Sequence, residues 1–318
     1  MARSTTLNSP DGAGLAAAVP SPRMRAFLTA AFALACAGGA AAQQAPTAAE
    51  VFARIGTPTP VTATAPALAP ARAQPAWQRF AVPAPASGGL PRIAIVIDDV
   101  GVHIPNSWRA VELPGPLTIS LMTYALNLSA LAQAAHGAGH ELLLHVPMEP
   151  EGPDVDPGPN VLLAQTSREE LLRRITWALG RVDGVVGVNN HMGSRFTADR
   201  AAMDLLMGEL SRRGLLFLDS LTTGQSVGRS ASRAAGVPYL ARDVFLDNEP
   251  DVAVVRAQLA ELESVARKDG AAIAIAHPKP GTLQALQEWL PTLADRGLVL
   301  VPLTALLPAA PAVAARAP

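Results

Sequence analysis

The chain has 318 residues, of which 16% are charged, with a formal net charge of −1 and a single cysteine. That balance excludes an electrostatic grip on nucleic acid or on anionic lipid. One cysteine excludes an intrachain disulfide and any cysteine-based zinc site, so a metal would have to be held by histidine and carboxylate.

Arg23-Met24-Arg25, an apolar run from Ala26 to Ala37 and small residues up to Ala42 have the three parts of a secretory signal. The run is shorter than the roughly 20 apolar residues of a membrane-spanning helix. Residues 1–42 are therefore expected to direct export to the periplasm or envelope, leaving no transmembrane helix in the mature chain. Cys36 lies in Ala33-Leu34-Ala35-Cys36-Ala37-Gly38, which looks like a bacterial lipoprotein processing site with Ala where Leu is usual. Cleavage near Ala42 is the preferred expectation, and a lipid anchor on Cys36 is the alternative. Residues 43–90 are rich in Pro and Ala with few large apolar side chains. They read as a disordered spacer that cannot bury enough surface to offset its ordering entropy.

A domain is expected over residues 91–308, with a disordered tail at 309–318. It opens on Ile93 to Val96, an apolar run that continues to Ile97 and stops on Asp98-Asp99 before Gly101, as a strand buried on both faces would. Leu117 to Met122 is the next short run, followed by a helix from Leu128 to His136 and a strand from Glu141 to Val146 that ends near His145 and Glu149. Ser167-Arg-Glu-Glu170 has capping-box spacing ahead of the stripe Leu171, Leu172, Ile175, Leu179. Val185 to Val188 leads to Asn189-Asn190-His191, and a helix from about Ala198 closes at Gly214. Leu215 to Leu218 ends on Asp219, and a less regular stretch from Val237 reaches Asp243 and Asp247. The long stripe Val252, Val255, Leu259, Leu262, Val265 precedes the strand Ala272 to Ala276, which ends on His277. A helix through Leu283, Leu286 and Leu290 and a run from Leu298 to Val301 complete the series.

Alternation of strand and helix implies parallel strands with helical crossovers. Seven or eight repeats in this length predict a distorted (β/α) barrel, with a doubly wound open sheet as the alternative. No Gly-rich phosphate loop follows any strand.

Asp98, Asp99, His145, Glu149, His191, Asp219 and His277 all stand at or near strand ends, which a parallel barrel brings to one mouth. Imidazole and carboxylate are the ligand types of a catalytic divalent ion, zinc above all. Such an ion keeps an open position and polarises a carbonyl, while a free carboxylate takes a proton and an imidazole gives one. His103 just past the acidic pair could belong to the site or not; His136 and His140 belong at the opposite rim. The only cysteine lies in the signal-like segment, so a cysteine acyl-enzyme route has no support.

Four stretches carry a resemblance: Val96-Ile-Asp-Asp-Val-Gly101, Gly139-His-Glu-Leu-Leu-Leu-His-Val-Pro-Met-Glu-Pro150, Val188-Asn-Asn-His-Met-Gly-Ser-Arg-Phe-Thr197 and Ile275-Ala-His-Pro278. Together, from about Arg92 to Leu307, they resemble the divergent polysaccharide deacetylase family, similar to NodB-type carbohydrate esterases. The resemblance implies Asp98 as general base, Asp99 as metal ligand and His277 as acid. It places His145 at the first histidine of the family's metal motif and Glu149 where the second would be. His191 is then expected to supply the missing imidazole, with Glu149 as a fourth ligand or behind the first three, and Arg195 and Asp219 as substrate contacts.

The activity implied is an exported, metal-dependent removal of an acyl group, N-acetyl for preference, from an amino sugar of a polysaccharide. The competing reading is a barrel without catalysis that binds envelope carbohydrate, motivated by Glu149. Against it, the domain offers few of the aromatic faces on which sugars stack. Hydrolysis of another amide or ester is a third reading.

Overall fold

The computed structural model describes residues 74–152 and 155–308. The signal, Cys36, most of the spacer and the tail lie outside the described residues. The short apolar runs lie in nine strands: β1 (Arg92–Val100), β2 (Thr118–Met122), β3 (Glu141–Met148), β4 (Gly187–Met192), β5 (Leu216–Asp219), β6 (Tyr239–Ala241), β7 (Val244–Phe245), β8 (Ala271–Ala276) and β9 (Val299–Leu300). All pairings are parallel, and the main path runs β6-β5-β4-β3-β2-β1-β8-β7, with β9 beside β1.

β6 and β7 are two halves of one extended stretch. Tyr239 to Ala241 pair with β5, and Val244 and Phe245 pair with β8. Between them Arg242 N–H donates to Asp219 O and Asp243 N–H to Ile273 O. The sheet is thus closed by a strand that changes neighbours midway, which makes the barrel distorted, as expected, and explains the irregular sequence there.

Period-two alternation sorts the side chains. Ala94, Val96, Leu143, Leu216, Leu218, Ile273 and Ile275 fill the barrel interior. Ile93, Ile95, Ile97, Leu142, Leu144, Ala272 and Ala274 face outward into the layer of helices. No helix among the described residues is long and apolar enough to cross a membrane.

Two helices were not expected. Ile104–Val111, here α1, starts with Pro in its first turn and is capped by His103, whose Nδ1 accepts from Asn106 N–H at 3.3 Å. His103 is therefore a cap outside the site. Gly228–Ala235, α2, buries only the small residues Gly228, Ala231 and Ser232, so it lacks a stripe of large apolar side chains.

The packed domain also begins earlier than residue 91. Ala76 to Arg79 form a helical turn, Ala76 is buried, and Trp77 and Phe80 pack against the interior cluster. Trp77 N–H donates to Gly214 O at 2.9 Å. The last part of the expected spacer thus packs because Trp77 and Phe80 supply apolar area that the preceding Pro- and Ala-rich stretch lacks.

Glu141 fastens this end of the barrel. It is fully buried at the start of β3 and accepts from Val82 N–H, Thr304 N–H and the Thr304 hydroxyl. Removing the carboxylate strands three donors that are held away from water. Glu141→Ala should lower unfolding free energy by about 3 kcal/mol, read as a fall in the urea midpoint; an unchanged midpoint would show that the clamp is dispensable.

Candidate metal centre and active-site cavity

Adjacent strand residues normally face opposite sides of a sheet, yet Asp98 and Asp99 both face the mouth. The β1–β2 register explains this: Ile97 pairs with Ile119, but Val100 pairs with Leu121, so β1 carries one extra residue. Asp99 absorbs the bulge with φ +56°, a left-handed conformation costly for a residue with a Cβ. Gly101 follows at φ +107°, and a Cβ there would stand 2.6 Å from Ala125 Cβ, so the turn admits only glycine.

Three strands then deliver three ligand atoms. Asp99 Oδ1 lies 3.3 Å from His145 Nε2 and 3.2 Å from His191 Nδ1, and the two ring nitrogens are 3.2 Å apart. Ligands at about 2.0–2.1 Å from a tetrahedral centre stand roughly 3.3 Å from one another. The triangle therefore has the dimensions of one face of a zinc site. Asp99 Oδ1 is also a buried oxygen that accepts no hydrogen bond, which is the vacancy in bonding that a cation would satisfy. The donor set fits a divalent ion.

Asn189, opposite His145 on β4, fixes the ring. Its Nδ2 donates to Asp98 Oδ1 at 2.8 Å, so its Oδ1 faces His145 Nδ1 at 2.9 Å and accepts from Ser120 Oγ at 2.6 Å. A flipped amide would set its oxygen against the Asp98 carboxylate. His145 Nδ1 must then carry a hydrogen, and the Nε2 lone pair is free for a metal.

Burial alone would lower the His145 pKa, but the charges of Asp98 and Asp99 raise it to about 9. Burial would raise Asp99, yet the facing imidazoles of His145 and His191 hold it well below the usual carboxylate range. Asp98, only 2% exposed, is pushed upward chiefly by burial.

Across the mouth His277 Nδ1 bonds Asp247 Oδ1 at 2.9 Å, and His277 Nε2 lies 3.8 Å from Asp99 Oδ2. Asp247 also accepts from His277 N–H and the Thr282 hydroxyl, both at 2.8 Å. Burial opposes both shifts, but the pair's mutual bond holds Asp247 low and His277 high. These groups open onto a cavity of about 440 Å³ whose lining includes Asp98, His145, His191, Ser220, Arg242 and His277.

Other expected residues lie elsewhere. Glu149 is outside the ligand triangle: its Oε2 accepts from Ala164 N–H at 2.7 Å and its Oε1 lies 3.6 Å from Arg195 Nε. Arg195 is half exposed in that pair and does not line the cavity. Asp219 shares the outward parity of Phe217, because Leu216 and Leu218 point inward. Its carboxylate is fully buried and bound by Leu221 N–H, the Ser226 hydroxyl and the Tyr239 hydroxyl. Ser220 takes the place in the lining expected of it. His140 is buried between Leu117 N–H and Val111 O, at the far rim.

Asn189, Ser120, Asp247 and Arg242 were missed as site residues. Asn189 stood beside His191 in the quoted motif, and Asp247 at the end of the irregular strand; Ser120 is signalled only by being polar inside an apolar run.

The family model for divergent polysaccharide deacetylases matches residues 95–307. The uncharacterized protein YibQ of Escherichia coli (strain K12) is 36% identical over 200 residues, 62% of this chain and 61% of that protein. This chain thus spans about three-fifths of that relative's length. An uncharacterized Haemophilus influenzae protein is 37% identical over 205 residues, 64% of this chain and 72% of that one. The crystal structure of an uncharacterized protein from Agrobacterium tumefaciens C58 superposes with a TM-score of 0.71 at 32% identity, covering 73% of this chain and 95% of that chain.

Proposed function

This chain belongs to the divergent polysaccharide deacetylase family, and on that premise we propose that it is an exported, metal-dependent hydrolase that removes an N-acetyl group from an amino sugar of a polysaccharide. The observation that carries the reading is the triangle of Asp99 Oδ1, His145 Nε2 and His191 Nδ1, with separations of 3.2 to 3.3 Å, beside a carboxylate that is not part of it. Export rests on the signal-like residues 23–42.

Asp99, His145 and His191 would hold the ion. When bound, a divalent ion supplies Lewis-acid polarisation of the acyl carbonyl and a lowered pKa for water. Asp98 takes the proton of the attacking water, with its Oδ1 pinned by Asn189 and its Oδ2 3.6 Å from His145 Nε2. His277, held by Asp247, supplies a proton to the departing amine from the other side of the cavity. The Asp247 charge also keeps His277 protonated toward higher pH, the state an acid needs.

The purified protein should carry one divalent ion, and His191→Ala should carry none while still folding, with metal content read by elemental analysis. Acetate release from N-acetylated amino-sugar oligomers tests the reaction. Full metal occupancy without release from any such oligomer would favour the non-catalytic, carbohydrate-binding reading, which the bond of Glu149 to Ala164 N–H, away from the ligand triangle, supports.

A further inference from the structure

Arg242 is the cationic group of the cavity that the reaction leaves unused. It sits where the closing strand changes neighbours, between β6 and β7. Its Nε donates to Ser220 O at 2.9 Å and its Nη2 to Leu221 O at 3.2 Å. Its guanidinium carbon stands 5.1 Å from the centre of the Phe245 ring. These contacts fix the side chain while using two of its five N–H groups, and among the described residues no carboxylate stands within ion-pairing distance of it. A guanidinium already ordered and charged, with an unpartnered fork of donors, is built to receive a carboxylate or phosphate.

The surroundings say where that anion lies. A second cavity of about 460 Å³ shares Arg242, Phe245 and Asn248 with the first. Its walls carry Glu249, Glu261 and Asp243, which would repel an anion. On the catalytic side the uncharged polar groups Ser220, Thr222, Asn190 and Asn248 line the cavity together with His145, His191 and His277, and its one carboxylate is Asp98. We propose that Arg242 selects substrates bearing an anionic group, a carboxylate or a phosphate, on or next to the acylated amino sugar. The inference rests on the deacetylase reading for the identity of the sugar, and on the cavity alone for the charge.

Calorimetric binding of three probes to the metal-loaded full chain tests it: N-acetylglucosamine, N-acetylmuramic acid, which adds a lactyl carboxylate, and N-acetylglucosamine 6-phosphate. The wild type should bind at least one anionic sugar about tenfold or more tightly than the neutral one, a typical effect of one charge-assisted pair. Which of the two gains identifies the anion. Arg242→Gln should erase the preference, and Arg242→Lys should keep part of it. Equal affinities in the wild type, a preference that survives Arg242→Gln, or no binding of either anionic sugar overturns the proposal. Acetate release is read separately: charge preference without release sinks the deacetylase reading alone, and release without charge preference sinks the Arg242 assignment alone.

Discussion

Asp98→Asn is expected to leave uptake of a divalent ion unchanged and to cut acetate release by about 10²–10⁴-fold, the contribution typical of a positioned general base. The substitution keeps the shape of the side chain, and an amide oxygen can still accept from Asn189 Nδ2. The ligand triangle does not include Asp98, so metal content should not move. Asp99→Asn, one residue along, should show the opposite pattern by losing the ion. The wild-type pH profile carries a second signature. A base acts only when deprotonated, so activity should fall toward acid as Asp98 takes up its proton. His277 acts only when protonated, and its raised pKa should carry the alkaline limb upward. Full activity in Asp98→Asn would remove Asp98 from the mechanism.

The mouth was legible because parallel strands export their C-terminal residues to one rim, so Asp98, Asp99, His145, His191 and His277 could be gathered by topology alone. Whether a given residue faces inward was harder to read, because that depends on register. Asp98 and Asp99 both face the mouth only through the bulge that ends in Asp99 at φ +56°, and strand parity sends Asp219 to the outer face. Glu149 stands at the family motif's spacing, yet the local chain gives it Ala164 N–H as partner instead. The partners behind the ligands were least visible: Ser120 and Asn189 meet across 69 residues of sequence, and Asp247 reaches His277 across 30. Such bonds depend on barrel closure, and the closing strand, split between two neighbours, has no single period to read.

Removal of the proposed divalent ion should expose an opposed dependence on pH. In the metal-free protein Asp98 and Asp99 hold His145 at about 9, against an ordinary value of 6.5 when unfolded. The native state then binds the proton more tightly than the unfolded chain. The resulting stabilisation, roughly 3 kcal/mol, is fully present below pH 6.5 and is lost as pH rises through about 9. Asp99 contributes no such change in this window, since its pKa lies below the usual carboxylate range. A divalent ion held by His145 would take the place of that proton on Nε2, so this contribution would be absent from the loaded protein, while the raised His277 pKa would act in both forms alike. The gap in unfolding free energy between loaded and metal-free protein should therefore widen by roughly 3 kcal/mol between pH 6.5 and 9, because affinity climbs by up to about tenfold per pH unit as one proton is displaced. Denaturant unfolding in metal-buffered and chelator-treated samples measures both curves. His145→Ala should close the gap at every pH; a gap in the wild type that does not change with pH would mean that the ion is not competing for the His145 proton.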